Sequence, residues 1–451
     1  MDRTDAISAA RPPRRLSARA RSIPNYLDTL DGFRAAATLL VLLFHYWQQS
    51  WVGYSWQVRL GTYTLNINLE PWIITGGLGV EILFLLSGFC LFYPLAMNPE
   101  REFNAREFAY KRFVRILPSY YLCFLVGAVV QLGCMPWADM RMYQLSDLEW
   151  WYHFIGGLFF GQAATPRMYT NPFNGVLWSL PIEMQFYVIY PLVLRGFRKK
   201  PVLTMVCAFA IGESWRFYLR SVDSSNITFL MNQLPAMIDV FVGGMFAAWL
   251  TGRIKHALDE KQLKQLAPVF TALTIALVLF FGLDQLQMYQ SRSLPGGTSV
   301  SQMVLRKYNV MALGLAIMSS AFACNWLRKL FGNPITRYLS TISYQLYMWH
   351  MLIGLRLKEW HIPPYTIPEG GSYPMDDLAW RMPYLLISLA LSFAVATAIT
   401  YLFERPITRA LTRHKPSWAI GGGSSLRLEV GIALGGLALF IGLQALLGCI
   451  M

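Results

Sequence analysis

Seven ionisable residues stand where an apolar sequence has little reason to keep them: Arg34, His45, Glu81, Arg112, Arg115, Glu183 and His350. Each lies inside or at the edge of a long apolar run. A charged side chain at the middle of a bilayer costs roughly 2.5–3.5 kcal/mol even on the mildest scale, so each needs a reason. Arg34 and His45 are eleven residues apart, about three helical turns, which puts them on one helix face roughly 16 Å apart. Arg112 and Arg115, three apart, project from one face of a helix start. Guanidinium forks grip phosphate oxygens in bidentate fashion, so with Arg34 this pair suits a phosphorylated cofactor at the inner mouth of the membrane. Glu81 and Glu183 fall near the depth of His45, in the outer half. A carboxylate beside a histidine orients it and raises its basicity. The pattern predicts His45 as a general base, with Glu81 or Glu183 behind it. Trp178, Tyr347 and His350 are the candidates for contact with substrate. Blander readings stand beside these: a snorkelling Arg34, a His45 that only hydrogen-bonds a neighbouring helix, and an arginine pair that only reflects charge bias between loops. Glu213 and Arg216, three apart, read as a self-neutralising pair.

The elements that must position these groups are membrane helices. The chain has 451 residues, 55% hydrophobic and only 14% charged, with a mean hydropathy of +0.37. A soluble globule carries about a quarter charged residues, and disordered chains lack the aromatics abundant here. A polytopic all-α membrane bundle remains. Apolar runs close to the roughly 20 residues needed to cross hydrocarbon fall near 33–51, 76–97, 116–134, 175–194, 201–219, 236–251, 267–283, 308–324, 340–356, 383–404 and 428–449. The aromatic segment 150–160 is too short to span and belongs at an interface. Lys and Arg number 27 in the N-terminal tail and the loops on its side, against nine on the other: Arg59, Arg141, Arg167, Arg220, Arg292, Arg306, Lys307, Lys358 and Arg381. The positive-inside rule then puts the N-terminus in the cytoplasm and, after eleven spans, the C-terminus outside. The same bias accounts for the formal net charge of +14 without a nucleic-acid partner. No small-residue cleavage site follows the basic tail, so the first run reads as a retained helix. The six cysteines stand apart, with neither metal-ligand spacing nor a disulfide framework, and no metal is expected. The organisation is a basic cytoplasmic tail over 1–31, a membrane domain over 32–406, and a cytoplasmic linker with an additional membrane helix over 407–451.

Six ordered motifs carry a resemblance. They are Leu30-Asp-Gly-Phe-Arg34 with His45; Phe84-Leu-Leu-Ser-Gly-Phe89; Arg112-x-x-Arg115 with Pro118; Trp178-Ser-Leu-x-x-Glu183 with Gln185-Phe-Tyr187; Ser343-Tyr344-x-x-Tyr347 with His350; and Glu404-Arg-Pro406. Over residues 27 to 406 the chain resembles the acyltransferase-3 family of integral membrane acyltransferases. The resemblance implies transfer of an acyl group, often acetyl, from cytoplasmic acyl-CoA to a hydroxyl of an extracytoplasmic glycan or glycolipid, at the plasma membrane. It implies a catalytic role for His45 and contact of Arg112 and Arg115 with the acyl-CoA. Two positions depart from the family: Glu81 where Asp is more frequent, and Pro181 where a small residue is usual. The run at 428–449 is additional to a ten-span core. The alternative class is a polytopic transporter of an anionic or sugar-linked solute, its buried charges lining a path. Missing inverted repeats weigh against it. A sensor that binds acyl-CoA without turnover would release no free thiol. The loop asymmetry predicts that a cysteine at position 106 is shielded from an impermeant thiol reagent added outside, and that one at position 296 is labelled. Labelling of both would overturn the orientation.

Overall fold

The computed structural model describes residues 27–131, 145–221, 225–294, 297–371, 373–420 and 425–449. The tail arginines, Arg141, Cys134 and position 296 lie outside the described residues. Among the described residues eleven helices run for 19 residues or more, in the order of the eleven apolar runs. They are α1 Thr29–Ser50, α2 Gly79–Met97, α3 Ala105–Gln131, α4 Ser179–Lys199, α5 Pro201–Ser221, α6 Leu234–Ala257, α7 Glu260–Ser291, α8 Gly297–Ser320, α9 Pro334–Glu359, α10 Leu378–Ile399 and α11 Leu426–Cys449. Seven described helical segments are individually long and apolar enough to cross a bilayer; Gly297–Ser320 and Asn325–Glu359 pass together as a pair bent by 118°. The chain is a helical membrane protein. α1 is not among the seven, because it carries Asp31, Arg34, His45 and Gln49; Asp31 and Gln49 are buried against protein.

The two largest boundary differences from the sequence expectation share one physical reason. α3 begins at Ala105 rather than 116, and α8 at Gly297 rather than 308. Hydropathy stops where polar residues start, yet a polar turn continues a helix when its side chains find partners inside the bundle. Arg306 is fully buried and Lys307 partly so, both in ion pairs, so neither is a loop charge. The all-α expectation also misses one antiparallel hairpin, β1 Ser55–Leu60 with β2 Tyr63–Asn68. Segment 150–160 contributes to a twelve-residue helix, Asp147–Leu158, capped by Ser146 and Glu149 and too short to span.

The core is held where backbones touch. Gly88 of α2 and Gly244 of α6 face one another's helices so closely that a Cβ on either would sit 1.9 Å from a carbonyl oxygen, of Phe241 and of Leu85 respectively. Small residues permit this approach, which dispersion alone then rewards. Phe241 stacks on Phe84 at 4.7 Å and on Phe186 of α4 at 4.2 Å, tying a third helix to the pair. α1 packs on α2 and α9, and α10 covers α9. α11 lies along α4, where Arg195 meets Glu429 at 2.6 Å. After α10 the chain makes one π-helical turn, Thr400–Glu404, before a short helix Arg405–Arg413. That helix docks on α3 through Tyr110, which donates to the Leu411 carbonyl at 2.7 Å. Gly88→Val should push α2 and α6 apart and cost at least the 1–3 kcal/mol usual for overpacking. Thermal unfolding in detergent should show a lowered midpoint; an unchanged one would remove this contact from the core.

Candidate active site

α1 and α9 meet at two imidazoles. His45 Nδ1 lies 2.8 Å from His350 Nε2, and the rings stack with centroids 5.0 Å apart. The other nitrogen of His350, Nδ1, lies 3.1 Å from the Leu346 carbonyl oxygen. A carbonyl only accepts, so His350 Nδ1 carries the hydrogen. Neutral His350 therefore offers its Nε2 lone pair, and His45 Nδ1 donates into it. The tautomers are set in series, and His45 Nε2 is left with a free lone pair. His350 is fully buried while His45 is only partly so, leaving the outer imidazole accessible. Tyr46 locks the arrangement. Its ring stands edge-on to His350 at 6.1 Å, and its hydroxyl reaches Ser388 O at 3.1 Å and Ser392 Oγ at 2.5 Å on α10.

A crevice opens one turn along α9. It encloses about 100 Å³ and draws Arg34 from α1, Ser87 from α2, Arg112 and Arg115 from α3, Glu183 from α4 and Tyr347 from α9. Arg34 Nη2 lies 3.5 Å from the Cys90 sulfur. The Arg112 guanidinium sits over Phe108 at 5.6 Å and over Tyr187 at 5.7 Å, and its buried Nε has no hydrogen-bond acceptor among the described residues. Arg115 stays exposed, within electrostatic reach of Glu183 and Glu404. Glu183 accepts from Ser87 Oγ at 2.8 Å and from the Tyr187 hydroxyl. At the far end Tyr347 shares a hydrogen bond of 2.7 Å with Ser179, and its ring lies 6.1 Å from that of His350. Tyr347 thus stands between the guanidinium groups and the imidazole pair.

Two expected neighbours of His45 are placed elsewhere. Glu81 pairs with Arg306 at 2.8 Å and accepts from Gln302 at 2.7 Å. It belongs to a buried cluster in which Arg216 meets Asp239 at 2.6 Å and Glu213 at 2.7 Å, and Lys307 meets Glu213 at 3.1 Å. The Glu213–Arg216 pair is therefore part of a six-charge group with three charges of each sign. Glu183 shares the crevice with the arginines, two groups that the sequence expectation held at different depths. The partner of the His45 imidazole is His350, expected only as a substrate contact. Trp178 rests on Tyr169 at 5.2 Å and does not line the crevice. The sequence reading also passed over Gln345, which donates to Ser119 at 2.7 Å and to Glu404 at 2.8 Å. Gln345 and Glu404 lie in motifs that were visible, but the bond between them needs the fold.

A sequence profile described as an acyltransferase domain matches residues 27–403. The chain belongs to the acyltransferase-3 family. It is 24% identical over 402 residues to the peptidoglycan O-acetyltransferase OatA of Listeria monocytogenes, covering 85% of this chain and 56% of the relative. It is 26% identical over 372 residues to the putative peptidoglycan O-acetyltransferase YrhL of Bacillus subtilis, covering 75% and 51%. A putative O-acetyltransferase of Staphylococcus aureus is 23% identical over 355 residues, covering 73% and 50%. The chain spans about half the length of these curated relatives. No solved structure matches.

In this acyltransferase-3 chain the geometry separates two roles that glutamates could play. If Glu81 serves the charge cluster, Arg306→Met should strand its carboxylate and destabilise the protein by about 3–5 kcal/mol, the usual cost of breaking a buried pair. Adding Glu81→Gln should recover much of the loss in a thermal-unfolding measurement. A Glu81→Gln variant that melts normally yet loses turnover would instead return Glu81 to the base.

Proposed function

We propose that the chain is a membrane O-acyltransferase. It transfers an acetyl group from cytoplasmic acetyl-CoA to a hydroxyl of an extracytoplasmic glycan or glycolipid, of the peptidoglycan class named for two relatives. In this reading it is a multi-pass plasma-membrane protein with eleven spans, ten of them in the catalytic domain over 32–406. Its N-terminus is cytoplasmic, and α11 lies outside the catalytic domain. The observation that carries the proposal is the serial hydrogen bonding of His350, which leaves the Nε2 lone pair of His45 available. The acceptor hydroxyl gives its proton to that nitrogen as its oxygen attacks the thioester carbonyl. The C–S bond breaks, and the CoA thiolate takes up a proton as it leaves. His350 acts as a positioning residue, the part a carboxylate plays in a serine-protease triad.

Arg34, Arg112 and Arg115 hold the CoA phosphates, and the acceptor-free Arg112 Nε is one donor for them. Tyr347, with Ser179 beside it, contacts the acyl group. Trp178 is kept for the acceptor. The crevice of about 100 Å³ receives the acetyl group between Tyr347 and the arginines.

His45→Gln keeps a polar side chain but has no proton-accepting nitrogen near neutral pH. Acetyl transfer to a muropeptide or surrogate sugar should fall by about 10²–10⁴, the usual worth of a general base, with acetyl-CoA binding retained. Arg112→Ala or Arg115→Ala should weaken acetyl-CoA binding by about 1.5–3 kcal/mol each, and Lys should rescue only in part. Near-normal turnover in His45→Gln, on protein that binds donor, would overturn the mechanism. Solute uptake without release of CoA thiol would overturn the function.

A further inference from the structure

The hairpin β1–β2 is amphipathic by register. Trp56 pairs with Ile67 and Val58 with Leu65, whereas Ser55 pairs with Asn68, Gln57 with Asn66 and Arg59 with Thr64. Cross-strand partners share a face and faces alternate along a strand, so one face is aromatic and aliphatic and the other polar. The apolar face is bare: Trp56 is 41% exposed, Val58 39%, Tyr63 79%, Leu65 51% and Ile67 37%. A lone two-stranded hairpin is marginal in water, and an open apolar sheet face invites association. A partner must cover it.

The root of the hairpin indicates which partner. The chain reverses at Trp51 in the left-handed region, φ 52°, and Tyr54 reaches back to the Leu43 carbonyl of α1 at 3.4 Å. A bond from Leu69 N to Tyr54 O at 2.9 Å closes the base of the ribbon. Leu43 precedes the end of α1 by seven residues, about 10 Å at 1.5 Å per residue. The following short helix, Glu70–Ile74, hangs Trp72 on the Gly282 carbonyl of α7 at 3.1 Å. Gly282 precedes the end of α7 by nine residues, about 14 Å by the same rise. Both attachments therefore lie below the ends of long helices, not above them. Around Gly282 the surface of α7 is bare and apolar, with Leu279 and Leu283 exposed, and Leu69 and Trp72 extend it toward the hairpin. The apolar face is continuous with a lipid-facing surface. Its depth is bounded as well. Two strands leave unpaired backbone edges that hydrocarbon does not tolerate, while Trp and Tyr above polar amides suit the headgroup boundary.

We propose that the hairpin lies flat in the bilayer headgroup region as an in-plane anchor. The face of Trp56, Val58, Tyr63, Leu65 and Ile67 dips into the acyl boundary, and that of Gln57, Arg59, Thr64 and Asn66 stays in water. The anchor ties the lipid surface to the stretch of α1 that carries His45.

The test places an environment-sensitive fluorophore at Val58→Cys, Leu65→Cys, Gln57→Cys and Asn66→Cys in the full chain, in vesicles of phosphatidylethanolamine and phosphatidylglycerol. Unsubstituted protein gives the background from native cysteines. Labels at 58 and 65 should be quenched at least about twofold more by a nitroxide near the lipid headgroup than by one near the chain end, as expected for insertion to 5–10 Å. Aqueous iodide should spare them and quench 57 and 66. Iodide access at all four positions would overturn the proposal in favour of a water-facing ribbon. Shielding of 58 and 65 from both quenchers would overturn it in favour of a second copy or another protein. Unsubstituted protein photolysed with a phospholipid bearing a diazirine near its glycerol should carry adducts in 55–68. Adducts on α7 with none in 55–68 would equally refute the anchor.

Discussion

Inside a bilayer a polar atom has no water to turn to, so its partner must come from the bundle. Arg216 and Arg306 are fully buried. Besides their carboxylates, both donate to main-chain carbonyls around the break between the short helix Ile227–Met231 and α6: Arg306 to Met231 and both to Ala236. The Met231 carbonyl, at the C-terminal end of its helix, is otherwise an orphan, while that of Ala236, in the first turn of α6, takes the arginines as additional donors. One cluster thus neutralises its own charges and caps a broken helix, and in doing so it joins α2, α5, α6 and α8. Around the crevice the balance reverses. Three arginines there share one lining carboxylate, Glu183, and that carboxylate is already engaged by Ser87 and Tyr187. The contrast between a closed cluster and an open one separates scaffold from site more sharply than any single residue does.

α9 links the two ends of the site. Over two turns it supplies Tyr344 and Tyr347 to the crevice, Gln345 to Glu404, and His350 to His45. Its N-terminus is capped by Asn333, and its polar residues are matched by hydroxyls and carbonyls of α3, α4 and α10. A helix so engaged cannot slide or turn without breaking several buried bonds at once. The imidazole pair inherits that rigidity.

The sequence made part of this legible. Eleven apolar runs predicted eleven helices, and the three arginines of α1 and α3 do share one space. What the sequence missed depended on partners distant in the chain. Glu81 read as a mate for His45 because both were assigned similar depths; Arg306 could not compete while hydropathy left it in a loop. Glu183 was assigned to the outer half by residue count, yet it lines the crevice beside Arg115. The pairing of His45 with His350 joins residues 305 apart, and no local period reports such a contact. The hairpin is a different kind of omission. The alternation in Trp56-Gln-Val-Arg and Thr64-Leu-Asn-Ile-Asn is the period-two signal of a strand, but it was hidden between two stronger apolar runs.

The π-helical turn at Thr400–Glu404 carries a consequence for how the gene can vary. Such a turn holds one more residue than an α-helical turn, and a residue in an α-helix advances the face by about 100°. Loss of one codon between Ile399 and Glu404 would let α10 run on as a plain α-helix into Arg405–Arg413. The Glu-Arg-Pro motif would survive letter for letter. Its glutamate would keep its face toward Gln345, because the wide turn already absorbs the residue that is lost; the same loss inside the plain α-helix of α10 would turn the motif by about 100° and sever the contact without altering the motif.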